Sequence, residues 1–220
     1  LLWIGDRGAV IVVVVEAVRS AAGKRKGGLS GVHSMDLLGQ VQTALIERAG
    51  IDAKEVGQVV GGCVGQVGMQ TMNVARGAWL QAGLPLETPA TTVDAQCGSS
   101  QQATNLAYGL VKSGVVDCAI GCGVEVMTRV PMGGTTHDRG LVAVSTDLFL
   151  DPKYRHWDMM TAVNMGLTAE KLFSLSGCTK EEMDQGAVRS HRLAAKAQEE
   201  GFFSGAILPV EFTASASRLI

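Results

Sequence analysis

The sequence predicts an α/β fold, with a mostly parallel sheet covered by helices on both faces. Three observations lead there. Strand-length runs rich in Val, Ile and small residues, at 9–17, 56–64, 91–96 and 117–126, alternate with amphipathic runs of helix length, the mark of βαβ units. The first run is apolar but for Glu16, as strands buried on both faces nearly are. Twenty-eight glycines without a collagen-like period supply the tight turns such packing needs.

Taken in order, residues 1–8, LLWIGDRG, lack the basic, apolar and cleavage regions of a secretory signal. They read as a tag, a translation from an upstream start or a trimmed end. Residues 9–17 are expected as a central strand. The loop GKRKGGLSG at 23–31 carries Lys24, Arg25 and Lys26, which read either as a nuclear-localisation or phosphate patch or as a solvated loop. A helix follows over 34–49, with Ser34 as N-cap, Leu37, Leu38, Val41, Leu45 and Ile46 on its apolar face, and Gly50 as its stop. A second strand at 56–64 leads to a second helix at 72–82, closed by Gly83 with Pro85 beyond.

The stretch TTVDAQCGSSQQATNLAYGLVKS at 91–113 organises the rest. TTVDAQ reads as a mostly buried strand, and Ser99 or Ser100 is available to cap the helix that follows. Cys97 thus falls on a tight strand-to-helix turn beside small neighbours. A thiolate there would meet unpaired backbone N–H groups and the positive end of a helix dipole. Cys97 is either a nucleophile or one more buried thiol, since free cysteine is among the most buried residue types.

Residues 117–126 give a fourth strand. Its Cys118 and Cys122 hint at half a metal site, but no second pair follows, and they read as core. Residues 129–155, with Pro131, Gly133, Gly134, Gly140 and Pro152, show no sustained period and read as irregular. Helix returns at 158–175 and 179–200, the latter opened by a Thr179/Glu182 capping box. ILPVEF at 207–212 is expected to return to the sheet as a strand. His33, His137, His156 and His191 sit in no motif and read as surface or loop residues.

A net charge of −2 leaves no electrostatic footprint for nucleic acid. The longest apolar run is far too short to cross a bilayer, so no membrane partner is expected. Five irregularly spaced cysteines do not form a disulfide framework and fit a reducing, cytoplasmic setting.

VDAQCGSSQQA resembles the nucleophile signature of the thiolases, the acyl-CoA C-acyltransferases. The resemblance extends through AVR at 17–19, GKRKGGLSG at 23–31, GCVGQVG at 62–68, GVEVMTRVPMG at 123–133 and NMGLTAEKL at 164–172, and so from about residue 10 to about residue 212. It implies a layered α-β-α fold with one half present: residues 9–126 as the nucleophile-bearing half, 127–206 as the loop domain that covers the site and holds coenzyme A, and 207–220 as the returning strand and end. It implies Cys97 as the nucleophile that carries the acyl group, with its backbone N–H as an oxyanion donor. Met165 borders the acyl pocket or is a core Met on its helix. Asn164 replaces the His of short-chain acetoacetyl-CoA thiolases, which points to a broader or longer acyl group. Cys122 and Val126 are further departures, where a smaller residue and Ser are usual.

Coenzyme A and its acyl thioester are implied as substrates, with no covalently bound cofactor, and a homodimer or homotetramer is implied as the assembly. The family's second half carries a His in a GHP motif, a Cys in a CxG motif and an Asn in an NEAF-like motif. These 220 residues contain no GHP and no NEAF-like motif, and their CxG, Cys63-Val64-Gly65, belongs to the first-half segment GCVGQVG, so they are not expected to turn over by themselves. The competing expectation is a non-catalytic relative that binds acyl-CoA or a partner subunit. QCGSSQQA disfavours a ketoacyl synthase or an HMG-CoA synthase.

Overall fold

Neighbouring residues of an extended strand point to opposite faces, and in β4 (Gln58–Gly62) both faces find a helix. Val59, with Cys118 and Ile120 of β6 (Cys118–Gly123), packs on Ala75 and Trp79 of α2 (Val74–Gln81) and on Leu45 and Ile46 of α1 (Ser34–Ala49). Val60, with Ala119, packs on Ala103, Ala107 and Val111 of α3 (Ser99–Lys112). Trp79 is fully buried and its indole N–H donates to the Pro85 carbonyl at 2.7 Å; truncating it to Ala would cost about 3–5 kcal/mol. The expected sheet with helices on both faces is therefore present.

These coordinates come from a computed structural model that describes residues 2–4, 11–132, 152–153 and 164–211. The main sheet has the order β2-β1-β6-β4-β5, where β1 is Leu2–Ile4, β2 is Val12–Val14 and β5 is Ala90–Val93. β4 runs parallel to both β5 and β6, while β1 is antiparallel to β6 and to β2. A second, two-stranded sheet joins β3 (Arg19–Ser20) to β7 (Ile207–Leu208) in parallel.

Three expectations need correction. Residues 9–17 are not a central strand: β2 lies at the sheet edge, and Ile11, Val13, Val14 and Val15 are exposed. The place beside β6 is taken by β1, drawn from residues 1–8, which read as a tag, an upstream translation or a trimmed end. An apolar run signals burial without saying which strand occupies the centre. The strand expected at 207–212 does not rejoin the main sheet but pairs with β3. The caps also differ: α1 is capped by His33, whose Nδ1 accepts from Met35 N–H at 3.2 Å. Ser34 is already helical, and its hydroxyl donates inward to the Met69 carbonyl at 2.6 Å. Gly50 stops α1 as expected, in the left-handed conformation at φ 66°.

The chain divides into two compact units, Leu1–His137 with Ser204–Ile220, and Asp138–Phe203. The described part of the second unit contains α4 (Met165–Ser176) and α5 (Lys180–Glu199). Neither helix has a buried residue. The expected Thr179/Glu182 capping box opens α5. Most of the stretch expected as irregular at 129–155, and the expected helix start at 158–163, lie outside the described residues.

Candidate active site

β5 ends at Val93 and α3 begins at Ser99, so five residues make the turn that carries Cys97. Gln96 takes a left-handed conformation at φ 51°, uncommon for a residue with a Cβ. Hydrogen bonds hold it there. The Asp94 carboxylate accepts from Gln96 N–H at 2.7 Å. The Ser99 hydroxyl donates to the Gln96 carbonyl at 2.6 Å and accepts from Ala95 N–H at 3.0 Å. Ser99 was expected as a helix cap, but it laces the turn instead. Gly98 is the N-cap residue, and its carbonyl accepts from Gln102 N–H at 2.8 Å. Cys97 projects from this turn as an exposed thiol. Within this chain Cys97 is therefore not one of the buried thiols.

Glycines of the neighbouring strands set how closely α3 lies on the sheet. A Cβ at Gly62 of β4 would fall 2.6 Å from the Ser99 carbonyl oxygen, and one at Gly121 of β6 would fall 2.7 Å from Thr104 Cα. At Gly123 a Cβ would overlap the Ser100 side chain. The Cys97 turn is thus seated at the carboxyl ends of parallel strands, where open α/β sheets gather their ligands.

A polar network closes the ends of β4 and β6. Gln70 is fully buried. Its Nε2 donates to the Gly65 carbonyl and to Glu125 Oε1, both at 2.7 Å, and its Oε1 accepts from Val126 N–H at 2.8 Å. Glu125 also accepts from Val64 N–H at 2.9 Å and Gly65 N–H at 3.2 Å. Cys63 lies beneath, its N–H donating to the Val93 carbonyl at 3.0 Å. Burial, then the charges of Glu125 and Asp94, push its thiol up to about 12. Burial likewise raises Cys118 and Cys122 to about 11. These three remain protonated core thiols, and only Cys97 and Cys178 are exposed. Cys118 and Cys122 are core as expected, and among the described residues no group of three His, Cys, Asp or Glu side chains is placed to hold a metal.

The other expected site residues lie in the second unit. Asn164 N-caps α4, its Oδ1 accepting from Leu167 N–H at 3.1 Å. Met165 is 75% exposed, which excludes a core role within this chain. His191 is exposed on α5, and His137 and His156 lie outside the described residues. Sequence reading missed Asp94, which acts within its own turn, and Gln70 and Glu125, whose partners are distant in the chain. Gly62, Gly121 and Gly123 did leave a signal, because glycine inside a strand often marks a close approach of backbone.

Residues 12–219 match the family described as thiolase, N-terminal domain. The chain belongs to the thiolase family. A steroid 3-ketoacyl-CoA thiolase, FadA6 of Mycobacterium tuberculosis, is 38% identical over 211 residues, which cover 93% of this chain and 51% of that one. A 3-ketoacyl-CoA thiolase of Chromohalobacter salexigens is 40% identical over 202 residues, covering 91% and 48%. A β-ketoadipyl-CoA thiolase of Acinetobacter baylyi is 37% identical over 205 residues, covering 90% and 51%. Among solved structures, the Bacillus anthracis acetyl-CoA acetyltransferase is similar with a TM-score of 0.74 at 31% identity, over 93% of this chain and 52% of that one. This thiolase chain therefore spans about half the length of these relatives, and its layered α/β architecture is that of the similar solved structure. Among the described residues no helix is long and apolar enough to cross a membrane.

Proposed function

We propose that this thiolase chain carries the nucleophile of an acyl-CoA C-acyltransferase that cleaves 3-ketoacyl-CoA, or runs the reverse condensation of acetyl-CoA. The observation that supports this best is the exposed Cys97 on a laced turn, two residues before the first residue of α3. In the cleavage direction, the Cys97 sulfur attacks the 3-keto carbon and forms the new C–S bond. The bond between the α and keto carbons breaks, its electron pair leaves with the acetyl-CoA fragment, and that carbon takes up a proton. The thiol of free coenzyme A then attacks the thioester carbonyl, the bond from the acyl carbon to Cys97 Sγ breaks, the acyl group leaves on coenzyme A, and the proton given up by that thiol restores the Cys97 thiol. One difficult carbon–carbon cleavage becomes two acyl transfers.

The oxyanions that develop need fixed donors. The Cys97 N–H supplies one, held in place by the Asp94 and Ser99 hydrogen bonds around it. His33 is engaged as the cap of α1, and we assign the proton acceptor for Cys97 to the His that the family carries in its second half. We assign Asn164 and Met165 to the border of the acyl pocket, for which exposed Met165 is available. Coenzyme A and acyl-CoA are the substrates, residues 127–206 the loop domain that holds them, a homodimer or homotetramer the assembly, and the cytoplasm the setting.

The test is intact-mass and peptide mass spectrometry after incubation with acetyl-CoA or acetoacetyl-CoA and an acid quench. One acetyl group on Cys97, lost in Cys97→Ala and kept in Cys178→Ala, is the expected result. Acylation located on Cys178, or undiminished in Cys97→Ala, refutes the assignment.

A further inference from the structure

Acyl transfer at Cys97 leaves unused the basic motif Lys24-Arg25-Lys26. We propose that this loop walls a binding site for a small molecule that bears phosphate groups on a less polar body. The loop joins β3 to α1 within the first unit and is a built turn. Gly27 N–H donates to the Lys24 carbonyl at 2.7 Å, Ser30 N–H to the Gly27 carbonyl at 2.9 Å, and Val32 N–H to the Leu29 carbonyl at 3.2 Å. The Ser30 hydroxyl adds a bond to the Gly27 carbonyl at 2.6 Å. Lys26 is held in the left-handed region at φ 57°, an uncommon conformation for a lysine.

A cleft of about 850 Å³ runs between this loop and the segment after β6, within the usual size of small-molecule sites. Its two walls differ. One carries Lys24, Arg25 and Lys26, and the other is apolar, with Met127, Pro131 and Met132. Among the described residues none of the three cations is paired with a carboxylate. The one carboxylate lining the cleft is Glu125, and its oxygens are already held by Val64 N–H, Gly65 N–H and Gln70.

Three uncompensated positive charges on a concave surface focus a positive potential. Phosphate matches this wall better than a carboxylate does. It carries more charge and more acceptor oxygens, which suit both the fork of an arginine and the point charges of two lysines. The methionine and proline wall leaves apolar surface for the remainder of the ligand. Two sources share this chemistry: the nucleotide end of a coenzyme A thioester, and a separate phosphorylated effector.

The test is isothermal titration of the purified chain at low salt with pyrophosphate and with adenosine 3′,5′-bisphosphate. The variants are Lys24→Gln/Arg25→Gln/Lys26→Gln and, separately, Cys97→Ala. Saturable binding is expected, weakened about tenfold or more in the triple variant because its charge-assisted bonds are removed, and unchanged in Cys97→Ala. The three side chains are exposed, so the triple variant keeps the wild-type melting temperature. If the bisphosphate binds more tightly than pyrophosphate and coenzyme A displaces it, the nucleotide end of the substrate is the ligand. If pyrophosphate binds and coenzyme A does not compete, the ligand is a separate phosphorylated molecule. Failure of both probes to saturate, equal binding of sulfate, or wild-type affinity in the triple variant overturns the proposal. None of these results depends on acylation, so the site and the Cys97 chemistry stand or fall separately.

Discussion

Gly62→Ala should unseat the helix that follows the Cys97 turn. The added Cβ would lie 2.6 Å from the Ser99 carbonyl oxygen and closer still to Ser99 C and Ser100 N. All three are backbone atoms, so no side-chain rotation relieves the overlap. Restoring ordinary contact requires α3 to retreat by about 1 Å. That retreat opens gaps under Ala103, Ala107 and Val111, which are fully buried against Val60 and Ala119. Overpacking of this kind costs about 2–3 kcal/mol, or roughly 5–10 °C in melting temperature for a chain of this size.

Gly109→Ala is the matched control on the same helix. A Cβ there meets nothing within 4 Å, and alanine in place of glycine in an exposed helix interior gains about 0.5–1 kcal/mol. Urea denaturation followed by far-ultraviolet circular dichroism reads both variants. Iodoacetamide labelling of Cys97 reports the turn, with its rate expected to change in Gly62→Ala and to hold in Gly109→Ala. A Gly62→Ala protein as stable as Gly109→Ala would show that α3 is not seated on the strand as described.

The other expectations are independent of this one. Iodoacetamide at neutral pH should modify Cys97 and Cys178 alone, and peptide mapping should find Cys63, Cys118 and Cys122 modified only in denaturant. The buried thiols ionise at about 12, 11 and 11 in place of the ordinary 9.0. An unfolded chain therefore releases protons that the folded one retains as pH rises. Stability is full below pH 9 and is lost between there and 11–12, and the pH dependence of urea midpoints should flatten in Cys118→Ala. Gln70→Leu strands the Val126 N–H and the Gly65 carbonyl and should cost about 2–4 kcal/mol. Thr179→Ala should cost about 1 kcal/mol of helix stability, seen as faster hydrogen exchange in the first turn of α5. The Thr179 backbone and hydroxyl hold the Glu182 carboxyl below its usual range, so this cap is intact above that range and weakens as pH falls through the lowered value.

What the sequence revealed and what it hid separate by range of interaction. The strands at 58–62 and 118–123 and the helices α1, α2 and α3 were legible because their signals are local: strand-length apolar runs and amphipathic ones, broken by Gly or Pro. The strand expected at 91–96 as mostly buried spans 90–93 and is only partly buried. Gly50 and the Thr179/Glu182 box were legible for the same reason. The edge position of β2 was not, since it depends on residues 2–4 taking the place beside β6. Nor was the choice of His33 over Ser34 as cap, which turns on the distant Met69 carbonyl. At the site, Cys97 and its turn could be read from ten residues, with burial left open. Gln70 and Glu125 are 55 positions apart, and nothing short of a tertiary contact joins them.

The same distinction explains how stability and the position of Cys97 are coupled in this chain. Hydrogen bonds fix the shape of the Cys97 turn, but they are all local to residues 94–99 and would move with it as a body. Its height above the sheet is set by steric contact, through Gly62 and Gly123 beneath Ser99 and Ser100, and Gly121 beneath Thr104. The inward residues Ala103 and Ala107 are small for the same reason. A larger residue on either side of that contact must shift Cys97 and loosen the core together. Changes on the outer face of α3, at the exposed Gln101 or Asn105, touch neither. Acylation rate and stability should therefore fall together across substitutions at Gly62, Gly121, Gly123, Ala103 and Ala107, and remain near wild type across the exposed positions of the same helix.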